Sequence, residues 1–109
     1  MLARFCSHWN FVAADLFNEP WGAEWGTGGP SRDWRSAAEA VGGFVLTACP
    51  RLVILVEGVG NAKSNGKEYF WGENLATAGM DPLRLPIPNH VIYSPHVYQW
   101  AGGQAHGWG

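Results

Sequence analysis

"NFVAADLFNEPWG", residues 10–22, decides how this chain is read. Its first eight residues are mostly apolar without strict alternation, as in a strand buried on both faces. The run then ends on Asn18 and Glu19, with Pro20 and Trp21 directly behind. A buried strand that hands an amide and a carboxylate to a loop is placing chemistry at its carboxyl end. Two later segments repeat the pattern. "LVILVEG", residues 52–58, opens with five apolar residues and reaches Glu57, while "HVIYS", residues 90–94, runs on into "PHVYQW" and presents His96 and Tyr98.

What separates these runs sets the fold class. After the glycine-rich "WGAEWGTGGPS", a helix is expected from about Ser31 or Asp33 to Cys49. Trp34, Ala37, Ala38, Val41, Phe44, Val45 and Ala48 keep its 3.6-residue period, either Ser31 or Asp33 can cap it, and Pro50 stops it. Gly42 and Gly43 inside it cost about 1 kcal/mol each against alanine, which points to close packing against a neighbour. Asn65-Gly66 marks a turn, "WGENLATAG" (residues 71–79) reads as a short helix, and "DPLRLPIPN" leads into the third strand. Strands alternating with helical stretches imply βαβ units and a parallel sheet. The strands start near residues 10, 52 and 91, a period of roughly 40, which eight repeats would carry modestly past the ~250 residues of a (β/α)8 barrel. In such folds sites are built at the carboxyl ends of the strands, where Asn18, Glu19, Glu57, His96 and Tyr98 fall.

Composition narrows the function. The 109 residues carry a net charge of −2, with 15% charged and 47% hydrophobic residues, a globular balance without a basic footprint for nucleic acid or an anionic membrane. No apolar stretch is long enough for a membrane helix, and "MLARFCSHWN" is too short and polar for a signal peptide. Seven tryptophans exceed what so small a core absorbs, so some belong at a surface or cleft. The histidines and cysteines show no metal-ligand spacing, and no cofactor is implied. "EGVGNAKSNGK" matches neither phosphate-binding glycine pattern. Cys6 and Cys49 leave the redox compartment open. They read first as two buried thiols, although both belong at the end of the sheet away from the site, where a bridge needs Cα atoms within about 7 Å.

"DLFNEPWG" resembles the acid/base motif of family 5 glycoside hydrolases, the family of many endoglucanases. "VILVEGVG", "WGENL" and "VIYSPHVY" resemble, in the right order, the next strand, a substrate-contacting segment and the sixth strand of its bacterial-type cellulases. The likeness runs from about Phe5 to Trp100. It implies a (β/α)8 barrel of which this chain is an incomplete segment of about three βα units, strands four to six, belonging to a secreted parent. It also implies a retaining mechanism with two glutamates about 5–5.5 Å apart. Glu19 would be the acid/base, and the nucleophile would lie on the seventh strand, beyond Gly109. A carboxyl that must donate a proton near neutral pH needs apolar surroundings or a neighbouring carboxylate, and Pro20 should keep the strand extended up to Glu19.

By the same resemblance Asn18 would bond the sugar 2-hydroxyl or orient the nucleophile, and His96 and Tyr98 would form the floor of the site. Trp71 would line the sugar cleft, where indole faces suit pyranose rings, with core packing as its plainer use. Trp21 and Trp100 would line subsites or simply pack. Glu73 departs from the pattern, standing where "WGxNL" has a small residue. Glu57 matches no nucleophile and is expected to be a buried, hydrogen-bonded structural group. The expected substrate is a β-linked polysaccharide, first a β-1,4-glucan, with mannan or xylan as alternatives. A tryptophan-rich carbohydrate-binding module is the rival of another class. It would be a β-sandwich with strands every 8–12 residues or so, which the long helix argues against.

Overall fold

In the computed structural model, which describes residues 2–26, 29, 31–60, 63, 64 and 67–98, the elements follow in the order α1 (Leu2–Phe5), β1 (Ala13–Asp15), α2 (Trp34–Ala48), β2 (Val53–Val56), β3 (Lys63–Ser64), β4 (Lys67–Glu68) and β5 (Val91–Tyr93). β1, β2 and β5 form one parallel sheet with β2 in the centre. Their register aligns Asp15 with Leu55 and Leu55 with Ile92, so all three strands finish at the same end of the sheet. β3 and β4 pair antiparallel; the Asn65-Gly66 turn lies outside the described residues.

α2 covers one face of the sheet. Asp33, not Ser31, is its cap: Oδ1 accepts from the Ser36 amide at 3.1 Å and Oδ2 from the Ser36 hydroxyl at 2.6 Å. The helix ends where the Cys49 amide reaches the Val45 carbonyl, one residue before Pro50. Its buried face is Trp34, Ala38, Gly42, Val45 and Leu46. Val41 and Phe44, expected in the core, are 46% and 73% exposed. Gly42 explains the difference. A Cβ there would stand 2.9 Å from Leu85 and 3.5 Å from Ile54, so the helix rests on the sheet through its glycine and Val41 and Phe44 rotate outward.

Leu46, Leu52, Ile54 and Val56 are at most 2% exposed, each worth about 1.5–3 kcal/mol of hydrophobic burial. The opposite face of the sheet differs. Val53 and Leu55 are half-buried there, and Asp15 and Ile92 are exposed. The first two strands were expected to be buried on both faces, and among the described residues they are covered on one.

Two further expectations change. "WGENLATAG" forms successive turns rather than a helix. The Asn74 backbone is spent on Val59, with N–H···O bonds of 3.2 and 3.1 Å in the two directions, and its side chain accepts the Ala76 amide at 3.0 Å. An amide already committed across the chain cannot also join a helical ladder. Cys6 and Cys49 are bridged, with Cα atoms 5.5 Å apart. Arg51 reinforces that junction, its Nε donating to the Cys6 carbonyl at 2.7 Å and its guanidinium to the His8 carbonyl.

Candidate active site

The chain does not stay extended to Glu19. β1 ends at Asp15, and Glu19 sits in the left-handed region with φ 49°. Two anchors impose this turn. The Glu19 amide donates to Glu57 Oε2 at 2.6 Å, and the carbonyl of buried Pro20 accepts the Gly60 amide at 2.8 Å. Proline's bias toward extended backbone yields to these bonds. A left-handed non-glycine residue costs about 1–2 kcal/mol, strain of the kind that collects at functional sites.

The three strand ends meet at His96. Its Nδ1 lies 2.8 Å from Glu19 Oε1 and its Nε2 3.0 Å from Glu57 Oε1. One imidazole therefore spans two carboxyl groups, brought in from the ends of β1 and β2 to a residue just past β5. Glu57 is 1% exposed, and its main-chain carbonyl accepts the indole N–H of buried Trp34 at 2.9 Å. The expectation of a buried, hydrogen-bonded Glu57 is met.

The charges in this cluster are shifted. Burial pushes the Glu57 carboxyl above its ordinary value and the Asp15 carboxyl adds to the rise, while the Glu19 amide pulls the other way. The hydrogen bond to Glu19 raises His96 above the ordinary histidine value against the effect of burial, and the charge of Glu57 acts in the same direction. Neighbouring carboxyl groups thus favour the imidazolium, whose two N–H groups suit two acceptors.

Glu19 opens onto a cleft of about 360 Å³ lined by Asn18, Glu19, Trp21 and Trp71. Trp21 and Trp71 are 55% and 53% exposed and meet edge-on with ring centroids 5.9 Å apart. Trp25 and Trp34 go to the core instead, while Trp9, 87% exposed, lies outside both groups. Trp100 lies outside the described residues. Tyr98 stacks edgewise on His96 at 6.3 Å and packs against Phe70 at 6.0 Å. The Glu73 carboxylate folds back to accept the Phe70 amide at 2.8 Å. Among the described residues no group of three His, Cys, Asp or Glu side chains could hold a metal ion.

Sequence reasoning missed two residues here. Gly72, with φ 73°, accepts the amides of both Gly58 and His96 on its carbonyl at 3.0 Å, tying the β2 and β5 ends together. Trp34 supports Glu57 from beneath through its indole. A glycine inside "WGENL" was a readable signal for the first; the second showed only as a helix start.

Over residues 1–108 the chain matches the family model for cellulase (glycosyl hydrolase family 5). It is 48% identical over 101 residues to an endoglucanase of Paenibacillus polymyxa, covering 90% of this chain and 25% of that protein. It is 43% identical to the major extracellular endoglucanase of Xanthomonas campestris, covering 80% of this chain and 18% of that one. Among solved structures, the hyperthermophilic endocellulase of the archaeon Pyrococcus horikoshii superposes with a TM-score of 0.84 at 34% identity, over 99% of this chain and 34% of that one. A complex of that endocellulase with cellotetraose superposes at 0.80 with 35% identity, covering 98% and 35% of the two chains. The chain thus spans a quarter of the length of the Paenibacillus relative.

Proposed function

The chain belongs to the cellulase family, glycosyl hydrolase family 5, and from that premise we propose that it carries the acid/base half of a retaining endo-β-1,4-glucanase. The observation that carries the proposal is Glu19, turned out of the strand end into a tryptophan-lined cleft and held from behind by His96. In the first step Glu19 protonates the departing glycosidic oxygen while a second carboxylate attacks the anomeric carbon. In the second it removes a proton from the water that releases the glycosyl group. Trp71 and Trp21 offer indole surface to pyranose rings, and Asn18 stands beside the acid for a sugar hydroxyl. Tyr98 holds the far side of His96.

Glu57 is not the second carboxylate. At 1% exposure it cannot meet an anomeric carbon, and both its oxygens are engaged, by the Glu19 amide and by His96. The nucleophile is therefore assigned to a part of the protein other than the described residues. A (β/α)8 barrel supplies one. The sequential order β1-β2-β5, the parallel pairing and the uncovered face bearing Asp15 and Ile92 all suit three neighbouring strands of such a barrel. The relatives above are named endoglucanases or endocellulases, which favours glucan over mannan or xylan. The Cys6–Cys49 bridge and the word extracellular in the name of the Xanthomonas relative both favour secretion.

Glu19→Gln in the full-length protein tests the assignment. Hydrolysis of cellulose should be lost, while the first step on an activated aryl cellobioside persists, because a good leaving group needs little protonation. Azide should then restore turnover and yield a β-glycosyl azide. Absence of both would remove Glu19 from the acid/base role.

A further inference from the structure

Glu57 makes more of its two oxygens than a space-filling buried carboxyl requires. Oε2 holds the Glu19 amide at 2.6 Å and Oε1 faces His96 Nε2 at 3.0 Å, while the other nitrogen of that imidazole meets Glu19 Oε1 at 2.8 Å. The result is a closed ring of contacts. One path runs from Glu57 to the main chain of Glu19, the other through His96 to the tip of the same side chain. We propose that Glu57 is a positioning residue for Glu19, fixing its left-handed backbone and, through His96, the direction and charge state of the contact to its carboxyl. The proposal rests on the acid/base assignment of Glu19 above.

A buried carboxylate is costly unless paired and hydrogen-bonded. An apolar residue would fill the same volume without that cost, so the buried carboxyl needs a use. Geometry supplies it. Glu19 adopts φ 49°, which its own side chain does not favour, and the Glu57 bond to its amide offsets that strain. Facing His96 are Glu19 from the loop after β1, Glu57 from the end of β2, Asp15 within β1 and Tyr98 on its own segment. Carboxyl oxygens at both nitrogens suit a doubly protonated His96, and the charge of Glu57 favours the second proton. Gly72 closes the arrangement, leaving no room for a Cβ against Glu57 Oε2 or the His96 ring.

Glu57→Gln in the full-length protein, beside Glu19→Gln, is the test. Glutamine keeps the shape but removes the charge and turns an N–H group toward one of the two partners. On cellulose, kcat should fall about 100-fold, the scale of a displaced catalytic group, with KM nearly unchanged. The alkaline limb of kcat/KM should shift, because His96 without its counter-charge gives up its proton sooner and its contact to the acid changes charge. Glu57→Asp, which keeps the charge but cannot span both partners, should restore the limb more than the rate. In the wild type, ¹⁵N-histidine spectra assigned by loss of signal in His96→Asn should show both His96 nitrogens protonated at neutral pH. That measurement decides the matter if the Glu57 variants do not fold, and a neutral His96 tautomer would overturn the proposal. So would a Glu57→Gln enzyme with an unshifted pH profile and wild-type kcat per folded molecule. If Glu19→Gln remains fully active on cellulose, the acid/base assignment itself fails; if it shows azide rescue while Glu57→Gln behaves as wild type, only the role of Glu57 does.

Discussion

A methyl group at position 72 would stand 3.0 Å from Glu57 Oε2 and 3.0 Å from the His96 ring, at a backbone angle of φ 73°. Neither neighbour can retreat without opening the contacts that hold Glu19. Gly72→Ala should therefore cost about 1–2 kcal/mol from its backbone angle alone, seen as a lowered denaturation midpoint, and should reduce kcat beyond what the lost stability explains. Trp71 calls for a different readout. It is half-exposed on the cleft wall, so Trp71→Ala should impair long glucans far more than a short aryl glycoside, since remote binding energy is available only to the longer substrate. Equal losses on both substrates would make Trp71 a packing residue.

Within α2, adjacent glycines have opposite uses. A Cβ at Gly42 would press to 2.9 Å from Leu85, whereas at Gly43 it would meet only Pro86, at 3.6 Å, an ordinary contact. Gly43→Ala should thus stabilise by about 0.5–1 kcal/mol through helix propensity, and Gly42→Ala should not show that gain; equal gains in chemical denaturation would contradict this packing. At the amino end of the helix, Asp33→Ala should cost about 1 kcal/mol. Burial opposes ionisation of Asp33, but hydrogen bonds from Ser36 and Gly26 prevail and hold it below its ordinary 3.8. A depressed carboxyl contributes its stability above the ordinary value and loses it as pH falls through the folded one. The penalty of Asp33→Ala should therefore shrink in acid below that range and hold steady at neutral pH.

At the scale of the molecule, the Cys6–Cys49 bridge spans 43 residues and encloses β1 and the whole of α2. By loop-closure entropy its loss should cost about 4 kcal/mol, so a reducing agent should lower the melting temperature of the full-length protein. The sheet predicts a second behaviour. Among the described residues β1 and β5 each pair on one side only, and Ile92 on the uncovered face is 52% exposed. Residues 1–109 expressed alone should self-associate through those edges and show no turnover on cellulose or an aryl cellobioside. A monomer with a cooperative melt and enzyme-level activity would overturn both the barrel and the placing of the nucleophile elsewhere.

How much could be read in advance differs from residue to residue. Strand and helix patterning located β1, β2, β5 and α2, because solvent exclusion on a sheet or helix face imposes its period directly on the sequence. The placing of Asn18, Glu19, Glu57, His96 and Tyr98 at strand ends followed from the same patterning. The uses proposed for those residues rest on the family resemblance. Other features depend on distant partners and left no local trace. The left-handed turn at Glu19 is imposed by a carboxylate 38 residues away, against the local preference of a residue before proline. The turns of "WGENLATAG" come from a backbone bridge to Val59, against a helix-like composition. The outward rotation of Val41 and Phe44 is set by how closely a glycine lets α2 approach Ile54. Amino-acid sequence determined which residues reach the site. The tertiary structure decided how they meet, because hydrogen bonds between remote segments outweigh preferences of about 1 kcal/mol per residue.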